Sequence, residues 1–172
     1  MKQRRANEEN LFDRRFWATQ TLLSTEAVLN ATYLRFNESL SALESVDGIM
    51  YALSLQPLPP ALYARNADAN CLGFEDRDGE ALVVALLTST WASEADDATV
   101  EATARKLMAD IEQDAKALGD WDRYVYLNYA NELQDPIGSY GHDNVDRLRA
   151  VAKRVDPHKI FTHKVPGGFK LW

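Results

Sequence analysis

The sequence predicts an α+β fold: an antiparallel sheet of about four strands with helices packed on one face. Three observations predict it. Some stretches alternate with period two, at Ile49–Gln56 and at Tyr124–Tyr129, and Ala81–Trp91 reads as a further strand fed by a turn. Others hold a helical period over many turns, at residues 25–43, 99–118 and 143–155. The links between them are short and hairpin-like, with no strand–helix–strand alternation that would imply a parallel sheet. At 172 residues and 46% hydrophobic composition, the chain has enough apolar material for one core, so residues 1–172 are expected to form a single domain.

Taken in order, Met1 to Asn10 is basic, then acidic, and carries few apolar groups. Leu11, Phe12, Phe16, Trp17 and Gln20 recur at helical spacing and predict a short amphipathic helix. Ser24-Thr25-Glu26 resembles a helix start, and Val28, Leu29, Tyr33, Phe36, Leu40 and Leu43 keep the period until Asp47-Gly48 ends it. In Ile49–Gln56, residues Ile49, Tyr51, Leu53 and Leu55 oppose Met50, Ala52, Ser54 and Gln56, and Pro57, Pro59 and Pro60 close the predicted strand.

Ala61–Ala69 reads as irregular and Asn70–Phe74 as a short strand. Asp76-Arg77-Asp78-Gly79 reads as a hairpin turn into Ala81–Trp91. After the acidic loop Glu94–Asp97, Val100, Ala104, Leu107, Met108, Ile111, Ala115 and Leu118 define an inward helix face that Gly119 terminates. In the last strand Tyr124, Tyr126 and Asn128 alternate with Val125, Leu127 and Tyr129, placing two phenols and an amide on one face. Asp143 is the predicted cap of a final helix carrying Val145, Leu148, Val151, Ala152 and Val155, stopped by Asp156-Pro157.

Composition excludes several functions. A net charge of −7 argues against a nucleic-acid partner, whose phosphates call for a basic face. No apolar run is long enough for a membrane span or a signal peptide, and the single Cys71 cannot form an internal disulfide. A cytoplasmic location is therefore expected, with the sequons Asn30-Ala31-Thr32 and Asn37-Glu38-Ser39 unglycosylated. His142, His158 and His163 lack a metal-ligand spacing, and Glu94, Asp96 and Asp97 lack the glycine and alternating oxygens of a calcium loop, so no metal is expected. No serine occupies a strand–turn–helix elbow and Cys71 has no evident base, which leaves a nucleophilic triad unsupported.

Several motifs occur together in order: Tyr126-Leu127-Asn128-Tyr129-Ala130, Gln134-Asp135-Pro136-Ile137, Ser139-Tyr140-Gly141-His142-Asp143-Asn144, Arg147-Leu148-Arg149, Asp156-Pro157-His158-Lys159-Ile160-Phe161 and Gly168-Phe169-Lys170-Leu171. With Leu55–Pro59, Asn70–Gly73 and Trp91 upstream, they resemble the C-terminal end of berberine-bridge-enzyme-like FAD-linked oxidases, particularly the fungal branch. The resemblance runs from about Leu22 onward. It implies a substrate domain whose uncovered sheet face looks onto a flavin and roofs a pocket. Tyr126 and Asn128 match the family's Tyr-x-Asn element, for which the resemblance implies contact with flavin and substrate.

Such oxidases carry a large flavin domain with a Gly-rich pyrophosphate loop. This chain has eight glycines and no such loop, so it is expected to represent the substrate domain alone and to bind no FAD or other cofactor. Two functions follow as expectations. One is a flavin-independent tailoring enzyme of fungal-type secondary metabolism, a redox-neutral cyclase or isomerase, possibly pericyclic. In it Tyr126 and Asn128 act on a small apolar metabolite and Tyr51, Ser54, Gln56, Trp91 and Tyr124 line the pocket. The other is a non-catalytic or partner-dependent fragment of an oxidoreductase. The bland reading of the same tyrosines is cross-strand packing with exposed hydroxyls. A homo-oligomer is expected in either case, because the roof face and the tail from Phe161 to Trp172 would otherwise leave a large apolar area uncovered.

Overall fold

The computed structural model describes residues 14–75, 77 and 79–172. Its centre is a four-stranded antiparallel sheet, in the order β2-β3-β1-β4, built from β1 (Arg14–Leu23), β2 (Met50–Leu58), β3 (Leu82–Trp91) and β4 (Trp121–Asp122). Helices α1 (Glu26–Leu40) and α3 (Asp97–Leu118) lie against one face. The α+β class and the four-stranded antiparallel sheet are as the sequence patterns predict.

The stretch at Phe16–Gln20, expected to be helical, is instead the central strand β1. Leu11 and Phe12, which started the apparent helical spacing, lie outside the described residues, as does the Met1–Asn10 segment. Within β1 the side chains alternate. Phe16, Ala18 and Leu22 join the core beneath the helices, while Thr19, Thr21 and Leu23 face the other way. Pairing along its whole length with β3, and with β4 at Thr21 and Leu22, satisfies much of its backbone, and that tertiary pairing outweighs a weak local helical pattern.

Asn70–Phe74 is not a strand, so the expected hairpin lacks its first arm, and Asp76 and Asp78 of its turn lie outside the described residues. The partners of β3 are distant in sequence: Leu82 faces both Leu23 and Leu58, and Trp91 faces Arg14. Residues 59–81 instead form a long connection containing α2 (Pro60–Tyr63) and a 3-10 stretch (Ala64–Ala69). Pro57 sits inside β2, which tolerates it because β2 is an edge strand and one row of its N–H groups needs no partner.

Val28 of α1 and Val100, Ala104, Leu107, Ile111 and Ala115 of α3 pack on Phe16, Ala18, Leu22, Leu87 and Trp91. Each fully buried Leu or Ile there contributes about 1.5–3 kcal/mol relative to exposure. Thr25 caps α1 by accepting from the Val28 N–H at 3.3 Å, and its own hydroxyl donates to Asp120 at 2.6 Å, tying the start of α1 to the turn after α3. Gly119, at φ 77°, provides the left-handed residue that ends α3. No helix among the described residues is long and apolar enough to cross a membrane.

Helix α4 (His142–Val155) and the short α5 (Ile160–His163) complete the chain. The expected cap at Asp143 falls inside the first turn. The helix begins one residue earlier, behind Gly141 at φ 91°, and no side chain caps it.

Candidate functional site

The strand expected from Trp121 to Asn128 lasts two residues. After Asp122 the chain leaves the sheet, because the Asp122 carboxylate turns back to accept from the Tyr124 N–H at 2.8 Å and the Val125 N–H donates to Ser139 Oγ at 3.1 Å. A 3-10 turn follows at Leu127–Tyr129. The polar residues read as one strand face are thus delivered by a loop that crosses the sheet face opposite the helices.

Two side-chain amides hold this loop against β1. Where β4 stops pairing, Gln134 replaces a missing strand residue: its Oε1 accepts from the Thr19 N–H at 3.1 Å and its Nε2 donates to the Thr19 carbonyl at 2.6 Å. Asn131 donates to the Trp17 carbonyl at 2.9 Å. The edge of β1 is thereby closed without a strand.

A buried ion pair fixes the other side of the site. Arg77 grips Asp122 through Nε at 2.7 Å and Nη2 at 2.6 Å, with the two side chains only 7% and 10% exposed. The same guanidinium lies over the Phe74 ring at 4.7 Å and donates to the Gly73 carbonyl. Gly73, at φ 76°, has no room for a side chain, since a Cβ there would come within 2.3 Å of the Tyr140 carbonyl oxygen.

Around this anchor Tyr63, Phe74, Tyr124 and Tyr140 form a chain of ring contacts at 5.1, 4.4 and 6.2 Å, which packs on Leu82. Burial pushes the phenols of Tyr63, Tyr124 and Tyr140 above the ordinary tyrosine value, so they stay protonated. The Tyr63 hydroxyl donates to the Glu80 carbonyl at 2.6 Å.

Between this aromatic chain and strand β2 lies a cleft of about 360 Å³. Gln56, Leu58 and Val84 form its floor, Leu62 and Leu72 stand at its side, and Tyr124 and Tyr126 contribute from the crossing loop. Tyr126 is held edge-on to Tyr129 at 4.8 Å, and Tyr129 in turn meets Trp17 at 6.5 Å. Asn128 Nδ2 donates to the Tyr126 hydroxyl oxygen at 2.9 Å. That donation uses one lone pair of the oxygen and leaves the O–H available to donate, a polarised arrangement that makes the phenol a stronger donor.

Of the residues expected at the site, Tyr124, Tyr126 and Gln56 therefore come together. Asn128 reaches the cleft only through Tyr126. Ser54 shares the open face, one pleat along β2 from Gln56, outside the cleft. Tyr51 and Trp91 are on the wrong side of the sheet. Tyr51 stacks on Phe36 of α1 at 5.6 Å, and Trp91, 2% exposed, donates from Nε1 to Asp97 at 2.6 Å within the helix-side core. Strand alternation explains the split, because odd-numbered residues of β2 point to the helices and even-numbered ones to the open face. Tyr63, Phe74 and Leu62 were not anticipated. Their signal was an aromatic-bearing connection too long for a plain loop.

The similarities of the chain are now informative. No family model matches it, and no solved structure does. Its relatives are fungal enzymes. Over 153 residues it is 50% identical to the protein named Oligopeptidase PhomG' of Diaporthe leptostromiformis, covering 88% of this chain and 12% of that protein. Over 141 residues it is 33% identical to FAD-dependent monooxygenase drtC of Aspergillus calidoustus, covering 81% of this chain and 27% of that protein. Over 155 residues it is 28% identical to Bifunctional solanapyrone synthase of Alternaria solani, covering 89% and 29%. The chain thus spans under a third of the length of each of these relatives.

The flavin in one of those names poses a question of fit. Among the described residues, Arg14, Arg35 and Arg77 are each committed to a carboxylate, Asp97, Asp114 and Asp122. The three long helices α1, α3 and α4 already carry Glu26, Asp97 and Asp143 in their first turns, where a phosphate would have to bind. These residues do not fit a dinucleotide pyrophosphate. No group of His, Cys, Asp and Glu among the described residues could hold a metal ion.

Proposed function

We propose that the cleft binds a small, largely apolar metabolite of fungal-type secondary metabolism and promotes its redox-neutral cyclisation or isomerisation. The observation that carries this reading is the Asn128–Tyr126 pair at the rim of an aromatic-walled cleft. A phenol whose oxygen already accepts an amide hydrogen bond donates its proton strongly to a carbonyl oxygen. In an enone or polyene, that donation draws electron density from the conjugated system and lowers the barrier to ring closure or double-bond migration. No atom leaves and no electron acceptor is needed. The aromatic walls hold a flexible chain in a folded, near-attack shape, which supplies the entropic part of the acceleration.

Tyr126 is the catalytic residue in this scheme and Asn128 a positioning residue that acts through it. The test is to incubate the purified chain with polyene and enone intermediates, without added flavin, and to follow products of unchanged mass. Conversion by the parent chain supports the reading. Absence of conversion of every candidate refutes it.

A second reading is favoured by the names and coverage of the relatives: the cleft is half of an oxidoreductase site, completed by a flavin held on other protein. Turnover that appears only when a flavin-bearing chain is added selects this reading. The oligopeptidase name is not supported by the matched segment. His142 lies 3.5 Å from Asp143 and Asp146 on an exposed helix end, and His158 and His163 are exposed near the C-terminus, with no serine or cysteine among the described residues hydrogen-bonded to any of the three.

Val155, Ile160, Phe161 and Trp172 are 68%, 53%, 70% and 49% exposed, an apolar surface along α4, α5 and the tail. We propose that a second copy of the chain covers it. Light scattering at micromolar concentration would then give about twice the 19.4 kDa chain mass, and a mass at 19.4 kDa would contradict it.

A further inference from the structure

We propose that the cleft is a charge filter, admitting uncharged ligands with a flat unsaturated body and rejecting their anionic counterparts, with Gln56 and Asn66 as the residues that read the ligand's polar groups. This rests on the cleft being the ligand site proposed above. A quarter of the chain is charged, 26% Asp, Glu, Lys and Arg, yet none of the residues lining the cleft is. Of the guanidiniums beside it, Arg77 is consumed by Asp122 and shielded behind Phe74, and Arg147 donates to the Asn70 carbonyl at 3.2 Å and to Asn144 Oδ1 at 3.1 Å. A carboxylate or phosphate entering here would lose water and gain no counter-charge.

The polar groups of the cleft divide into spent and available. Tyr63 donates to the Glu80 carbonyl. Asn70 uses both ends of its amide locally, donating to the Asn66 carbonyl at 2.5 Å and accepting from the Leu72 N–H at 2.8 Å. Gln56 and Asn66, by contrast, make no side-chain hydrogen bond among the described residues, and Tyr126 keeps its hydrogen. Two neutral amides and one phenol match carbonyl and hydroxyl groups. Leu62 and Leu72, 66% and 36% exposed, flank the opening and give an apolar rim that a hydrophobic body covers on entry.

The probes are methyl 3-(2-naphthyl)acrylate and its free acid, which share shape and differ in charge at pH 7.5. Isothermal titration of the parent chain is expected to show the ester binding at least about tenfold tighter than the carboxylate, the discrimination equivalent to one desolvated charge left unpaired. Gln56→Lys places a cation in the cleft and is expected to reverse the preference. Asn66→Lys, on the exposed 3-10 stretch, tests the same point should the strand substitution alter folding as judged by circular dichroism. Equal affinities in the parent, tighter carboxylate binding, binding of neither probe at millimolar concentration, or an unchanged ratio in the folded lysine variants would each overturn the filter. Ester selectivity without conversion of any substrate would keep the filter and remove the catalytic reading. Turnover of an anionic substrate would do the reverse.

Discussion

The two faces of the sheet are built by different means. On the helix face, aliphatic residues of α1 and α3 interlock with β1 and β3, and nearly all polar backbone groups are satisfied inside helices and ladders. On the open face, aromatic rings, one buried ion pair and side-chain amides bonded to backbone do the holding, and regular structure is scarce. The contrast separates tasks. A face that packs by volume presents few polar atoms, the Trp91 Nε1–Asp97 bond among them, whereas a face held by discrete hydrogen bonds can present phenols and amides to a ligand at fixed positions.

The sharpest way to break that division is to remove the anchor of the open face. Arg77→Ala leaves Asp122 buried without its partner and frees the loop carrying Phe74, so a loss of about 3–5 kcal/mol is expected, along with loss of ligand binding in the cleft. Urea titration and ester binding measure the two. Unchanged binding in a folded variant would show that the anchor serves stability alone.

The matching change on the other face is Leu87→Ala, at a side chain with 0% exposure in the middle of the helix-side core. It is expected to cost about 2–5 kcal/mol through the cavity it leaves. Unlike the first variant, it should bind the ester with parental affinity well below its melting temperature. Loss of affinity at that temperature would mean the two faces are coupled.

Smaller effects come from titration, and they have opposite signs for carboxylates and phenols. Asp97 and Asp114, beside the helix core, are held below the ordinary aspartate value of 3.8 mainly by hydrogen bonds from Arg14 and Arg35. A carboxylate with a depressed native value adds stability above the unfolded value, lost as the pH falls through the native one, so melting should decline below about pH 4. On the open face, burial raises the phenols of Tyr124, Tyr63 and Tyr140. A raised native value leaves stability intact below the unfolded tyrosine value of 10.0 and removes it as the pH climbs above. Thermal melts from pH 2.5 to 11 check both limbs. Substituting Asp114→Asn should weaken only the acid limb, and Tyr140→Phe only the alkaline one.

The same contrast explains what could be read from the sequence. Helix α3 was legible because one feature repeats: Val100, Ala104, Leu107, Ile111 and Ala115 recur at helical spacing and Gly119 ends it. The sheet was legible in β2 as alternation and in β3 as an apolar stretch after a turn, and the alternation of β2 could have shown that Tyr51 and Gln56 face opposite ways. β1 was not legible, since Gln20 interrupts its apolar face and its two partners lie far along the chain. The open face was legible only as a set of residue types. Tyr124, Tyr126 and Gln56 converge because Gln134 substitutes for a strand residue and Arg77 reaches Asp122, and neither long-range bond has a periodic signature.

The central claim is that Asn128 acts through Tyr126, and a double-mutant cycle tests it most directly. Rates of product formation would be compared for the parent, Tyr126→Phe, Asn128→Ala and the pair together, on a substrate that the parent converts. Removing the phenolic donor is expected to slow conversion about 10²–10³-fold, and removing Asn128 to slow it less. The double variant should then be no slower than Tyr126→Phe alone, because an amide that works only by polarising the phenol has nothing left to polarise. A double variant slowed by the product of the two single effects would contradict the account, as would a Tyr126→Phe chain that keeps the parental rate.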